Sequence, residues 1–519
     1  MPSLRVERLG YAYAGRAALF SNLQFHLQSE WIGIVGENGR GKSTLLRLIA
    51  GELEPDSGRI ELLPKNAAIA YCPQNIDGAD QSIFTFSEQN DRIARRLREE
   101  LHLNPIDLKR WNTLSPGERK RWQIGAALAQ EPDLLLLDEP TNHIDEEART
   151  LLIGSLQAFG GLGLCVSHDR ALLRSLTKQT LRFAQGGALL YRGNYDEAKN
   201  TWDGERKNEL DAHHKARDRR ETLTQKLGAA RHSQAGAEAA RSTKTRIKGP
   251  RDHDGRSMSA KFRVNSAEKR LSKSVSVLRH KVETAIEEES AIQIQKELGQ
   301  SIFIGYEPSP SPFLFVLDAP ILRAGDNEVL KNVRVSVGRS DRIRISGKNG
   351  AGKTTLTLAL LKHARIPEDK ILYMPQELGL EERKSLLPKL FAMPPKPRGR
   401  VLSTVAALGV DPDRLLASAL PSPGESRKLL IALGLCAHAW ALVLDEPTNH
   451  MDLPSIERLE RALLSYPGCI LFISHDPSFG RRVATIEWRL DGASIHLSGI
   501  EKPCETPEDT YYAMNSHHG

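Results

Sequence analysis

One set of motifs occurs twice in this 519-residue chain, in the same order and nearly the same register. Gly36-Glu37-Asn38-Gly39-Arg40-Gly41-Lys42-Ser43 is matched by Gly347-Lys348-Asn349-Gly350-Ala351-Gly352-Lys353-Thr354. Each is followed by Ser-Pro-Gly-Glu at residues 115–118 and 422–425. Leu-Asp-Glu-Pro-Thr-Asn-His comes next, at 137–143 and 444–450, then Ser-His-Asp at 167–169 and 474–476. Ser115 and Ser422, Asp138 and Asp445, and His168 and His475 are each 307 residues apart, while Lys42 and Lys353 are 311 apart. Spacing held over three motifs is the mark of a duplicated domain. The expected layout is one domain over residues 1–195, a connecting piece over 196–312, a second domain over 313–500 and a short tail over 501–519.

The most apolar run, Ile431 to Leu444, spans 14 residues and contains His438. It is shorter than the roughly 20 residues of a membrane-spanning helix and leads into Asp445-Glu446, so it reads as buried core. The N-terminus lacks the apolar stretch of a signal peptide. Cys72, Cys165, Cys436, Cys469 and Cys504 show neither metal spacing nor a disulfide framework. A reduced, soluble, cytoplasmic protein with no membrane partner is the expectation.

Positive charge is concentrated in one place. Residues 215–281 hold 19 Lys and Arg against 6 Asp and Glu, in a chain whose net charge is +7. A local excess of that size in one segment points to a polyanion, and nucleic acid is the expected partner.

Residues Trp31–Val35 form a β-branched run ending at a glycine, then the loop, then Ser43–Ala50 with helical apolar spacing; Arg342–Ser346 opens the same order again. That context makes each glycine-rich segment a P-loop, whose backbone N–H groups turn toward phosphates at a helix N-terminus. Lys42 and Lys353 are expected to bridge the β- and γ-phosphates of ATP. Ser43 and Thr354, followed by Thr44 and Thr355, would hold Mg²⁺. The apolar runs Leu134–Leu137 and Ala441–Leu444 suit strands buried on both faces of a parallel sheet. Each delivers a carboxylate pair to its strand end: Asp138 and Asp445 for Mg²⁺, Glu139 and Glu446 for orienting or deprotonating the attacking water. His168 and His475 end a further buried run and read as γ-phosphate sensors. Gln74 and Gln376, after Tyr-Cys-Pro and Tyr-Met-Pro, reach toward Mg²⁺ or the water. Tyr13 is placed to stack on adenine, with Arg323 at the matching position. Ser-Pro-Gly-Glu reads as a capping box, with Ser115 and Ser422 at the N-cap, Gly117 and Gly424 within, and Glu118 and Glu425 at the third helical position.

Over both repeats these motifs resemble the ATP-binding cassette ATPases: α/β P-loop domains in which Ser-Pro-Gly-Glu stands where a signature such as Leu-Ser-Gly-Gly-Gln is usual. The resemblance implies that the two cassettes pair head to tail within one monomer. Ser115 and Gly117 would close over ATP held by Lys353, and Ser422 and Gly424 over ATP held by Lys42. Pro116 and Pro423 depart from the usual glycine, and each removes one backbone donor. Glu-Pro-Thr-Asn-His-Ile-Asp and Glu-Pro-Thr-Asn-His-Met-Asp, with two cassettes and a charged linker, resemble the ABC-F family. That family implies ribosome binding, with residues 196–300 contacting rRNA and P-site tRNA near the tRNA exit and peptidyl transferase region.

The linker supports a helical reading on its own residues. Leu271, Val275, Leu278 and Val282 recur at coiled-coil spacing, Leu210, Leu223, Leu227 and Ala230 form a compatible seam, and residues 248–256 carry turn chemistry. An antiparallel hairpin with its apex near 249–260 follows, and a disordered basic linker is the rival. Three functions are then open: a ribosome-bound ATPase, either protecting against antibiotics or relieving stalled ribosomes; the tandem ATPase subunit of an importer; and a DNA-repair ATPase. The importer leaves the basic arm unexplained, and the repair class lacks its usual inserted modules.

Overall fold

A computed structural model describes residues 2–15, 17–28, 30–76, 78–142, 144–184, 187–240, 258–291, 303 and 305–500. The chain forms two compact units: Met1–Ala198 with Lys296–Gly519, and Lys199–Gln295.

In the first unit each repeat is built on a six-stranded sheet. The first repeat carries β1 Ser3–Tyr11, β2 Phe20–Gln28, β3 Trp31–Gly36, β4 Ser57–Leu63, β5 Ile69–Cys72, β6 Leu134–Asp138, β7 Leu162–Val166, β8 Gln179–Ala184 and β9 Gly187–Arg192. Its main sheet runs β5-β6-β7-β3-β8-β9, parallel except for the last pair, while β2-β1-β4 form a separate antiparallel sheet. The apolar strands sit in the middle because both of their faces are covered. Leu135 and Leu137 join a core with Phe86, Trp122 and Leu156, and Leu134 and Leu136 join one with Leu4, Leu27 and Leu45. All four leucines are fully buried, each stabilising by about 1.5–3 kcal/mol.

The second repeat has β10 Phe313–Ala324, β11 Asn327–Gly338, β12 Arg342–Gly347, β13 Ile371–Met374, β14 Ala441–Asp445, β15 Cys469–Ile473, β16 Ile486–Asp491 and β17 Ser494–Gly499. Its main sheet repeats the order as β13-β14-β15-β12-β16-β17, but the accompanying sheet has only β10 and β11. The missing strand has a sequence cause: Gln74 lies 32 residues after Lys42, and Gln376 only 23 after Lys353. The apolar run Ile431–Leu444 is buried core as expected, although it divides between the helix Pro423–Cys436 and strand β14.

The second unit is helical. The helices Tyr195–Ala240 and Met258–Ala291 carry cross-links that run in opposite senses. Arg219 pairs with Glu288 at 3.0 Å, Arg220 with Glu289 at 3.1 Å, and Gln234 donates to Ser272 at 3.3 Å. Advancing on one helix retreats on the other, the register of an antiparallel hairpin. Leu227 and Ala285 are buried, with Leu210, Leu223, Ala230, Leu271, Val275, Leu278 and Val282 half-buried along the seam. The expected turn residues 248–256, with His253 and Arg256, lie outside the described residues, as does the tail 501–519. Met258 to Ala260, read from sequence as part of the turn, instead open the second helix.

Candidate active site

Both P-loops follow from local backbone demands. Gly36 and Gly347 leave their strands at φ 147° and 142°, and a Cβ on either would meet the carbonyl oxygen of Phe183 or Leu490 at 2.6 Å. Gly41 and Gly352, at φ 89° and 91°, then turn the chain left-handed into the helices Lys42–Ile49 and Lys353–Lys362. Lys42 Nζ donates to the Gly36 and Glu37 carbonyls at 2.8 and 3.0 Å, and Lys353 Nζ to those of Gly347 and Lys348 at the same distances. Each ammonium is thereby held over the centre of its loop. Burial holds both lysines below their usual pKa, against the opposing pull of Glu139 and Glu446.

The carboxylate pairs stand at the strand ends. Glu139 and Glu446 both adopt φ 48°, a left-handed conformation uncommon for glutamate, fixed by N–H bonds to the Val166 and Ile473 carbonyls at 2.8 and 3.0 Å. Such strain, repeated at matched positions, belongs to functional sites. Burial raises both carboxyls to about 8, opposed by Lys42 at Glu139 and by the His475 backbone N–H at Glu446. A carboxylate so placed takes a proton readily, which a base for water requires.

The histidines meet these acids. His168 Nε2 lies 3.1 Å from Glu139 Oε1, and His475 Nε2 lies 3.5 Å from Glu446 Oε1 and 3.3 Å from Lys353 Nζ. Burial and the nearby lysine push both imidazoles down to about 3, so each is neutral at physiological pH. A neutral ring offers one donor and one acceptor, which suits reading a phosphate through a hydrogen bond.

Mg²⁺ fits the remaining groups. Asp138 Oδ1 is buried without a protein hydrogen-bond partner, and Thr354 Oγ1 donates to Asp445 Oδ2 at 2.9 Å. Burial raises both aspartates, while Ser43 and Thr354 hydroxyls pull them down. Hard oxygen ligands from one carboxylate, one hydroxyl and substrate phosphates are what Mg²⁺ takes. Among the described residues no cluster of three acidic, His or Cys ligands forms a cage independent of substrate.

All of these open on one cleft of about 910 Å³. Its walls include Lys42, Ser43, Thr44, Gln74, Asp138, Glu139 and His168 from one repeat, and Lys353, Thr354, Thr355, Gln376, Asp445, Glu446 and His475 from the other. Asn38, Gly39, Gly41, Asn349, Gly350 and Gly352 also line it. Ser115 and Ser422 form capping boxes with Glu118 and Glu425 as the sequence implied, holding both glutamates below their usual range despite burial. Of these two motifs Pro116 reaches the cleft wall, while a Cβ on Gly424 would sit 2.9 Å from the His450 carbonyl oxygen. Tyr13 shares a hydrogen bond with Thr44 at 3.2 Å and meets Tyr11 edge-on; Arg323 pairs with Glu328 at 3.0 Å.

Several site residues carry no role in the sequence reading. Asp145 and Asp452, the last residues of the Glu-Pro-Thr-Asn-His words, cap the helices Glu146–Gln157 and Leu453–Ser465. Asp452 reaches the opposite P-loop, where Asn38 N–H donates to it at 2.7 Å, and Lys348 pairs with Glu147 at 2.6 Å on the other side. Lys120 and Arg427, also 307 residues apart, are buried cations on the two capped helices. Lys120 Nζ bonds the carbonyls of Pro73, Gln74 and Asp138, and Arg427 those of Gln376 and Glu446. Their shared offset was the signal available in the sequence.

The family model described as ABC transporter matches residues 20–142 and 330–449. The chain is 28% identical over 499 residues to "Ribosome protection protein VmlR" of Bacillus subtilis, spanning 93% of this chain and 85% of that one. It is 29% identical over 479 residues to "Erythromycin resistance ATP-binding protein MsrA" of Staphylococcus epidermidis, spanning 90% and 93%. "ATP-binding protein Uup" of Escherichia coli is 26% identical, spanning 92% and 78%. Among solved structures, "RNase-L Inhibitor" superposes with a TM-score of 0.59 at 17% identity, covering 98% of this chain and 93% of the other, which speaks to the fold. No helix among the described residues is long and apolar enough to cross a membrane.

Proposed function

This chain belongs to the ABC-F family of ATP-binding cassette ATPases, and we propose that it uses ATP closure to bind and release the ribosome, protecting it from an antibiotic. ATP hydrolysis is its reaction. Lys42 and Lys353 hold the phosphates, Glu139 and Glu446 accept the proton of the attacking water, and the neutral His168 and His475 orient the γ-phosphate. Ser43 with Asp138, and Thr354 with Asp445, would hold Mg²⁺, which would supply neutralisation of phosphate charge; Gln74 and Gln376 face the same space. Each site takes its signature serine from the opposite cassette, Ser115 for Lys353 and Ser422 for Lys42.

The observation that carries the reading is the pairing of this ATP cleft with a basic helical hairpin in one chain. A helix of 46 residues is about 70 Å long, and a net +13 over residues 215–281 suits rRNA and tRNA phosphates. Protection is favoured over relief of stalled ribosomes by two relatives, one named a ribosome protection protein and the other an erythromycin resistance protein. The importer reading gives the hairpin no work. The cytoplasm is the compartment this activity requires.

Expression in a drug-sensitive host tests it, with susceptibility to macrolides, lincosamides, streptogramins, pleuromutilins and phenicols measured beside a Glu139→Gln, Glu446→Gln variant. Protection against at least one class, lost in the variant and on deleting residues 249–257, is the expected result. Co-sedimentation with ribosomes should weaken steeply with salt. No protection, with improved translation of stalling sequences, would favour the housekeeping role.

A further inference from the structure

The two Ser-His-Asp segments, residues 167–169 and 474–476, form what we call the switch loops; alike in sequence, they are held by different residues. The loop of the second cassette has two arginines on its backbone. Arg344, buried on the central strand β12, donates through Nε and Nη2 to the Ser474 carbonyl at 3.2 and 3.1 Å. Its Nη1 bonds Glu487 at 3.2 Å, and Nη2 lies 3.9 Å from Glu146 of the first cassette. Arg149, on the helix Glu146–Gln157 of the first cassette, donates to the His475 carbonyl at 3.0 Å. It also stands 3.5 Å from Asp169 of its own cassette.

Neither cation is repeated. The position matching Arg344 is Gly33, and the one matching Arg149 is Ile456; neither has a side-chain donor. The exchange at the strand is a fitted one. A Cβ on Gly33 would meet Leu173 Cδ2 at 2.8 Å, and Leu173 matches Gly480, where a Cβ would meet Arg344 Cδ at 2.5 Å. One cassette fills the space under its switch loop with leucine over glycine; the other fills it with arginine beside glycine. Replacing a buried leucine by a guanidinium is costly without partners, and Arg344 has them in the Ser474 carbonyl and Glu487.

We infer that Arg149 and Arg344 are positioning residues that fix the switch loop of the Lys353 site, so that hydrolysis there depends on a contact from the opposite cassette that the Lys42 site does not receive. This rests on the two-site ATPase reading above. The coupling is one-directional: when the cassettes part, Arg149 leaves the His475 carbonyl, while His168 has no equivalent partner at Ile456. The loop at the Lys353 site thus loses on parting a tie that the loop at the Lys42 site does not have.

The test uses full-length protein in two parents, Glu139→Gln, which leaves hydrolysis to the Lys353 site, and Glu446→Gln, which leaves it to the Lys42 site. Single-turnover hydrolysis and ATP affinity are measured with Arg149→Met, Arg149→Lys and Arg344→Met in each. Arg149→Met and Arg344→Met should slow the Lys353 site at least ten-fold more than the Lys42 site, with ATP affinity changed less than three-fold. Arg149→Lys, which keeps a donor, should recover most of the rate. Equal loss in both parents, no loss, or a loss centred on the Lys42 site through Asp169 would overturn the inference. If neither Met variant folds, the arginines hold the fold rather than position the loop, and the inference also fails. The two-site reading is judged first: parents that are both inactive or both like wild type would sink it before any arginine is changed.

Discussion

Asn38 and Asp452 are 414 residues apart in sequence, yet the backbone N–H of one donates to the carboxylate of the other at 2.7 Å. Asn38 Nδ2 also reaches the His450 carbonyl at 3.2 Å, and Arg458 lies 3.4 Å from Glu37 beside it. Asp452, which ends the Glu-Pro-Thr-Asn-His-Met-Asp motif of the second cassette, is thus tied to the P-loop of the first. On the two-site reading proposed above, nucleotide binding at Lys42 and docking of the opposite cassette would act on one loop.

Asp452→Asn separates these two jobs. Asparagine still caps the helix Leu453–Ser465, so the cap energy of about 1 kcal/mol is kept. The charge-assisted bond to Asn38, worth about 1.5–3 kcal/mol, is weakened. ATPase activity at sub-saturating ATP should fall roughly ten-fold on that difference, beyond the modest fall in melting temperature expected from losing the charge that faces the buried Lys428. A large drop in melting temperature would show that the residue serves the helix instead.

The same carboxylate gives a pH dependence. Burial alone would raise Asp452, but Lys428 and hydrogen bonds from Ser455 and Asn38 outweigh it and leave it below its usual value. A depressed folded pKa means that the unfolded state binds the proton more readily. The stabilisation is therefore present above the unfolded value, about 3.9, and is lost as pH falls through the lower folded one. Wild-type stability should decline more steeply than that of Asp452→Asn below about pH 4. Equal slopes in denaturant titrations at pH 3–6 would contradict this.

Much of this site is legible in the chain because P-loops, capping boxes and strand-end acids are local objects. Gly41 must turn left-handed whatever surrounds it, and Ser115 bonds Glu118 three residues on. The interface is different. Asp452 occurs in a quoted motif, but nothing in its neighbourhood announces a partner at Asn38. The left-handed φ of Glu139 is also hidden, because it comes from the hydrogen bond to Val166 on the neighbouring strand. The hairpin is legible in the seam spacing, while its apex, expected near 249–260, runs past the helix start at Met258 because the turn chemistry of 248–256 leads straight into it.

Glu139→Gln with Glu446→Gln should lower turnover by a factor of about 10²–10⁴, the usual worth of a positioned base. The amide keeps the shape that accepts the His168 and His475 backbone N–H groups at 3.3 and 3.4 Å. ATP affinity should therefore hold. Steady-state hydrolysis and equilibrium binding measured together decide it, and loss of binding would mean the acids support the fold of the loop.

A buried ion pair also crosses the interface. Arg170 Nη1 lies 2.8 Å from Glu460 Oε1, with Glu460 almost fully buried. Glu460→Leu strands a guanidinium and should cost about 3–5 kcal/mol. Arg170→Met added to it removes the stranded charge and should recover a substantial part. Chemical denaturation of the two variants checks this, and a double variant no better than the single would place the cost in packing instead.

Lys120 and Arg427 connect the signature helices to the chemistry. Each stands five residues after Ser115 or Ser422 and bonds the carbonyl of a cleft-lining glutamine, Gln74 or Gln376, and that of a strand-end acid, Asp138 or Glu446. A movement of the capped helix would thus be passed to the backbone of both a cleft-lining glutamine and a strand-end acid. Burial lowers both cations, and the nearby acids, with Cys72 at Lys120, oppose the shift. Lys120→Met would leave buried carbonyls without a donor, at about 1–3 kcal/mol each, so some loss of stability is expected. The distinguishing effect is on kcat, which should fall by about ten-fold or more with little change in the KM for ATP, because Lys120 does not line the cleft. Arg427→Lys should act more mildly than Arg427→Met, since one ammonium can replace part of the guanidinium's two-ended grip. Kinetics and melting curves on the three variants separate the outcomes. A fall in kcat that tracks the melting temperature across all three would reduce these residues to structural ties.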